Sequence, residues 1–232
     1  MIQQNLIKQA ADYLKITTEE FTKRMSNTQP TIQKDWAEKK SIIDFYKDTD
    51  AYIYELVLFN NEYRLKTLLY PVLNLKGKTI LDYGAGIGIV PILLAEHNTT
   101  YYYDLPGKTQ EFAKYINSKS THKTIFIDDE EDVFTRPYDF ISCVDVLEHL
   151  ENPMEVVKKI TENLKPGTLF LTTGLDFSVG KHIPMHLEKN REYRDEYNKY
   201  MPKHYSLVFF HVTRNEWIYL WVKKTNDKGS EE

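Results

Sequence analysis

"ILDYGAGIGIV", residues 80–90, decides how this chain is read. An apolar run reaches Asp82 and passes into glycines at every second position, Gly84, Gly86 and Gly88. Glycine adopts positive φ without strain and puts no side chain between the main chain and a ligand. An acidic strand end followed by such a turn, with Pro91 near the start of the next helix, marks the first strand-to-helix crossover of a doubly wound sheet, where these folds bind ligands. That helix aims its free N–H groups at whatever sits above the turn. A dinucleotide turn reads G-x-G-x-x-G. Counted from Gly84 and Gly86, its third glycine would fall at Ile89, so a nicotinamide-dependent oxidoreductase fails on spacing.

Outward from this turn, short β-prone runs alternate with helical ones, the pattern of βαβ units and a parallel sheet. Strands are predicted over 78–83, 99–104, 123–127, 139–144 and 168–173, with helices near 88–97, 108–118 and 153–164 between them. The last helix has Asn152 as a cap, Pro153 in its first turn, Glu155 to complete a capping box and Gly167 just beyond its end. After a polar helix around 186–200 come "YSLVFFHV" and "EWIYLWVK", joined only by "TRN", so the two form an antiparallel pair. Upstream, residues 1–76 read as three or four helices ending near Leu75, with Thr17 or Thr18 as one helix start. The predicted organisation is a helical extension over 1–76, an α/β domain over 77–224 and a solvated tail over 225–232.

With 232 residues, 41% of them apolar, the chain can bury a substantial core without staples. The single cysteine, Cys143, excludes an internal disulfide and fits a reducing compartment. The opening "MIQQNLIKQAADYLK" has no apolar signal core, and the run from Ile87 to Ala95 is too short to span a bilayer. A cytoplasmic protein without membrane contact is expected, as monomer or homodimer. The net charge of -4 offers no field to gather phosphate backbones, so no nucleic acid is expected. From Asp128 to Glu155 ten residues are acidic and only Arg136 is basic, which favours a cationic ligand.

The pattern from Asp82 to Gly88, D-x-G-x-G-x-G, resembles the first motif of class I S-adenosylmethionine-dependent methyltransferases. The resemblance continues at Asp104, twenty residues after Gly84, in "DLP" at 104–106, and in "YDFISCVDVLEHLENP" at 138–153, which is similar to small-molecule methyltransferases of the ubiquinone-biosynthesis type. It spans about residues 78–223 and implies a Rossmann-like, doubly wound, seven-stranded, mostly parallel sheet with an antiparallel last strand, S-adenosylmethionine as cofactor, and methyl transfer to an oxygen or nitrogen of a small metabolite. On this reading Asp82 holds the methionine amino group and Tyr83, Gly84, Ala85, Gly86 and Gly88 form the cradle. Asp104 fixes the ribose, Leu105 packs on adenine, one of Asp128 and Asp129 meets the adenine amino group, and Asp145 closes the cofactor side. Each acid also fits a duller role as a turn cap or a solvated strand end.

The loops after the fourth and fifth strands face the methyl in this architecture, and they hold the base candidates His149, His182 and His186. Each of the three also fits a packing or capping role. Tyr46, Tyr52 and Tyr54, in an aromatic stripe ahead of the glycine turn, are candidate acceptor contacts from a helical lid. At helical spacing Asp145, Glu148 and His149 share one face, and the segment resembles the E-x-x-E-H of small-RNA 2′-O-methyltransferases. Its first position is aspartate and the basic surface RNA requires is missing, so no metal is assigned. The alternatives are a non-catalytic S-adenosylmethionine-binding regulatory partner, or a protein or RNA methyltransferase with a metal-assisted site.

Overall fold

The computed structural model describes residues 2–173, 185–213 and 216–225. Six helices precede the sheet: α1 (Ile2–Leu14), α2 (Thr18–Met25), α3 (Gln29–Glu38), α4 (Ile42–Asp48), α5 (Ala51–Phe59) and α6 (Glu62–Leu69). Three or four were expected. The extra breaks come from short polar caps inside the apolar run: Ser41 accepts from the Asp44 N–H and Asn61 from the Arg64 N–H, each closing a helix start. Thr17 caps α2 by accepting from the Glu20 N–H, as the sequence suggests.

The rest alternates: β1 (Thr79–Tyr83), α7 (Ile89–Leu94), β2 (Thr99–Tyr103), α8 (Lys108–Lys119), β3 (Ile125–Ile127), α9 (Glu130–Val133), β4 (Phe140–Cys143), α10 (Pro153–Asn163), β5 (Leu169–Thr173), α11 (Tyr193–His204), β6 (Tyr205–Val212) and β7 (Trp217–Lys223). The seven strands lie in the order β3-β2-β1-β4-β5-β7-β6. β1 to β5 pair in parallel, while β7 runs antiparallel to both β5 and β6. This is the expected doubly wound sheet with its reversed end, and the winding direction switches between β1 and β4, where a crevice opens above the carboxyl ends of the strands. Asn152 does not cap α10 as expected: its side chain makes no cap bond and instead accepts from the Tyr193 hydroxyl at 3.3 Å. Glu155 turns away from the helix start to pair with Lys159 at 3.4 Å.

Both faces of the sheet are covered. One packs Leu81, Ile141 and Phe170 against Val157 and Ile160 of α10 and Met201 of α11. The other packs Ile80, Phe140 and Leu171 against Leu68 of α6 and Leu94 of α7. The early helices share a third core with the sheet's flank, in which Phe21, Ile53 and Val57 meet Ile87, Ile89 and Phe112. A fourth cluster joins Ile32, Phe45 and Ala51 to Met185, so α3, α4 and α5 reach across to the segment after β5. At the entry to α8, a Cβ on Gly107 would stand 2.5 Å from the Lys47 Cα, so the end of α4 rests directly on bare main chain. Among the described residues no helix is long and apolar enough to cross a membrane.

Candidate active site

A cavity of about 1520 Å³ opens above the carboxyl ends of β1, β2 and β4. Its floor is the glycine turn. Gly84, Gly86 and Gly88 all have positive φ, at 69°, 55° and 73°. At Gly84 a Cβ would stand 2.3 Å from the Val146 side chain, so this close approach of two loops requires glycine. Gly88 starts α7 against Tyr102 and Ala113 and does not line the cavity, unlike Gly84, Ala85 and Gly86.

Asp104 at the end of β2 is held by two main-chain donors: the Gly86 N–H gives to Oδ2 at 2.6 Å and the Leu105 N–H to Oδ1 at 2.7 Å. The Tyr102 hydroxyl donates to the Gly86 carbonyl at 2.7 Å and locks the turn from below. Burial raises Asp104 to about 6 despite those two donors. Asp82 accepts from the Ser142 hydroxyl at 2.6 Å. Burial first, and then the charge of Asp104, raise it to about 7 despite the Ser142 bond. Two buried carboxyls beside a glycine turn therefore await a positive ligand, whose charge would restore both to ordinary carboxylate behaviour. These residues fit the expected sulfonium cofactor, since the bare turn leaves room for it and the acids match its charge. Leu105 and Tyr83 also line the cavity.

Of the acids expected after the third strand, neither Asp128 nor Asp129 reaches the cavity. Asp128 is 77% exposed and pairs with Lys114, whereas Asp129 caps α9 by accepting from the Glu131 N–H. The acid that does line the cavity is Glu130, which accepts from the Tyr83 hydroxyl. Tyr46 and Tyr52 lie in the cavity wall, in edge contact with each other. Tyr54 points the other way, stacked on Phe21 with centroids 4.6 Å apart, and belongs to the helical core. Glu55, one residue on, does line the cavity and is raised to about 7 by burial, with Gln29 donating to Oε1 at 2.7 Å. Nothing in the one-dimensional pattern marks it, because it falls within a run that reads as apolar.

Asp145 lines the cavity, yet it does not share a face with Glu148 and His149 as helical spacing suggests. It sits at φ 53°, its N–H donating to Thr173, and Arg64 of α6 holds its carboxylate at 2.5 Å. The same guanidinium bonds both oxygens of Glu216 at 2.7 and 3.1 Å. The turn at Leu147–His149 is 3-10, and it places Glu148 and His149 next to His186 instead. One ligating atom from each of these three lies within 4.8 Å of the others. Burial, and then His186, lower the His149 imidazole to about 4, so it is neutral near pH 7. His182 lies outside the described residues.

Comparisons with known proteins agree with this geometry. A family model described as a methyltransferase domain matches residues 58–214. The ubiquinone biosynthesis O-methyltransferase of Vibrio parahaemolyticus is 30% identical over 128 residues, covering 53% of this chain and 54% of the relative. That of Actinobacillus pleuropneumoniae is 28% identical over 123 residues, 49% of this chain and 53% of the relative. The chain thus spans about half the length of the curated relatives it matches. Among solved structures, magnesium protoporphyrin IX methyltransferase from Synechocystis PCC 6803 with bound SAM is similar at a TM-score of 0.54 and 17% identity, over 88% of this chain and 97% of that one. The N-methyltransferase NodS from Bradyrhizobium japonicum is similar at 0.53 and 13%, over 72% and 99%. At these identities the likeness speaks for the fold.

Proposed function

The chain belongs to the class I S-adenosylmethionine-dependent methyltransferases, and from that premise we propose that it methylates an oxygen or nitrogen of a small metabolite. The observation that carries this reading is the continuity of the cavity. One space of about 1520 Å³ runs from the glycine turn to the Glu148–His186 end, more than the 300 to 1,000 Å³ or so of an ordinary ligand pocket. It has room for a cofactor and an acceptor side by side. The chain's many acids argue against polyanionic acceptors, and the roof formed by Tyr46 and Tyr52 suits a flat or ring-shaped one.

S-adenosylmethionine brings an activated methyl group on a sulfonium. In this proposal Asp82 and the Gly84–Gly86 main chain hold its methionine part, Asp104 accepts from both ribose hydroxyls, and Leu105 packs on the base. Tyr83, oriented by Glu130, closes that side. His149 and His186 face the acceptor: His149, kept neutral by burial, takes a hydrogen bond from the acceptor group and orients it toward the methyl. Helices α3 to α5 exclude water from above. The test is incubation with methyl-labelled S-adenosylmethionine and a fractionated cell extract. Label is expected in the low-molecular-weight fraction; label found only in protein or RNA, or nowhere, refutes the proposal.

A further inference from the structure

We propose that the roof of the cavity is a recognition site for a protonated amine, with Glu55 as its counter-ion and Tyr46 and Tyr52 beside it. The acceptor is then a metabolite that carries an ammonium group apart from the atom that is methylated. Glu55 is the one charged residue of α5, "AYIYELVLF", and it is 5% exposed. Gln29 donates to its Oε1 at 2.7 Å. Among the described residues its Oε2 has no hydrogen-bond partner and no basic side chain pairs with it. The Tyr46 hydroxyl is buried and equally without a partner among those residues. Leaving a buried oxygen unpaired is costly, and a buried carboxylate most of all. Two such oxygens in the wall of one cavity point to a polar group of the ligand.

The surroundings choose the sign of that group. Tyr52 lies one helical turn before Glu55, on the same face of α5. Its ring meets Tyr46 edge-on, with centroids 5.4 Å apart. Burial raises both phenols well above the ordinary tyrosine value, and the charges of Glu55 and Asp104 add to the rise in each. Arg64 lines the same cavity, but Asp145 and Glu216 already hold it. An anion would therefore meet carboxylates, whereas an ammonium meets a carboxylate, a phenol oxygen and π faces together. A neutral hydroxyl could donate to Oε2 but would leave the charge of Glu55 uncompensated.

The amine is a handle and not the methyl acceptor. Held as an ammonium it has no lone pair to give to the methyl carbon, so the reacting oxygen or nitrogen is another atom of the same molecule. Tyr46 links the two ends of the site, because its ring also meets His149 edge-on, with centroids 6.1 Å apart. The acceptor lies between them, its charged end at Glu55 and its reacting end at His149. The place of the reacting atom rests on the methyltransferase reading; the seating of the ammonium does not.

The test compares binding of benzylamine with that of its neutral counterpart, benzyl alcohol, by ligand-observed nuclear magnetic resonance on the full-length protein, with and without S-adenosylhomocysteine. It is run at about pH 8, where the carboxyl is ionised and the amine protonated. Benzylamine is expected to bind at least roughly tenfold more tightly than benzyl alcohol. Glu55→Gln, whose amide oxygen still accepts from Gln29, should abolish that preference while affinity for S-adenosylhomocysteine, measured by calorimetry, stays unchanged. Equal binding of the two compounds by the wild type, or binding of neither, overturns the proposal and needs no variant. An undiminished preference in a folded Glu55→Gln overturns it too, as does a roughly tenfold loss of S-adenosylhomocysteine affinity, which would set Glu55 against the cofactor's own ammonium. Benzylamine held through Glu55 by a protein that does not bind S-adenosylhomocysteine would leave the amine site standing and overturn the methyltransferase reading instead.

Discussion

Asp104 couples the glycine turn to the cavity, because each of its oxygens accepts one main-chain N–H and keeps lone pairs for a ligand. Asp104→Asn puts an amide donor against one of those N–H groups. We expect affinity for S-adenosylhomocysteine to fall by about 3 kcal/mol, roughly hundredfold, measured by calorimetry with an unchanged far-ultraviolet spectrum. Glu55 makes a prediction about pH. Its carboxyl rises from 4.5 to about 7 through burial, so the folded protein binds that proton more tightly than the unfolded chain does. The resulting stabilisation is complete below pH 4.5 and is lost as pH climbs to about 7. Glu55→Gln should remove about 3 kcal/mol of that decline, seen as a smaller loss of urea stability between pH 5 and pH 8 than in the wild type. Legibility at this scale varied with context. Asp82 and Asp104 are marked by strand ends and spacing, whereas the run "DDEED" gives no phase. Only the cap formed by Asp129 decides that Glu130 turns inward.

Arg64 ties α6 to the start of β7 and to the turn after β4, with 16% of its side chain exposed. Burial alone would lower the guanidinium, but Asp145 and Glu216 more than offset it. Arg64→Ala leaves Glu216, 12% exposed, without its partner and should cost about 3 kcal/mol in chemical denaturation. Arg64→Ala/Glu216→Ala should recover part of that loss, and strict additivity of the two single changes would refute the coupling. The strands were legible because their β-branched and aromatic runs are short and bounded by turns, and the β6–β7 hairpin followed from the shortness of its link. The early helices were not, since the stretch from Asp35 to Tyr70 reads as nearly continuous and its breaks rest on local caps at Ser41 and Asn61. The turn after β4 misled for a related reason: a positive φ at Asp145 breaks the helical phase, which spacing alone does not reveal.

Across the whole molecule, the early helices share apolar cores with the glycine turn, α7 and α8 and with Met185 after β5, so a ligand between them and the sheet stabilises the two together. S-adenosylhomocysteine at a hundred times its dissociation constant should add about 2.7 kcal/mol, a rise in melting temperature of roughly 5 to 10 °C for a chain of this size. No shift at that concentration would refute the site. The doubly wound order was legible from alternation and motif, but which roof residues face inward was not, because that depends on how α4 and α5 are set down. One contact sets part of that height. At Gly107 the main chain is extended, so any residue suits the backbone there, and the constraint is bulk alone, with Lys47 main chain where a first side-chain carbon would stand. Position 107 thus acts as a shim: thickening it by a single methyl jacks up the end of α4, offering protein engineers a way to widen the range of compounds accepted without touching any residue that meets them.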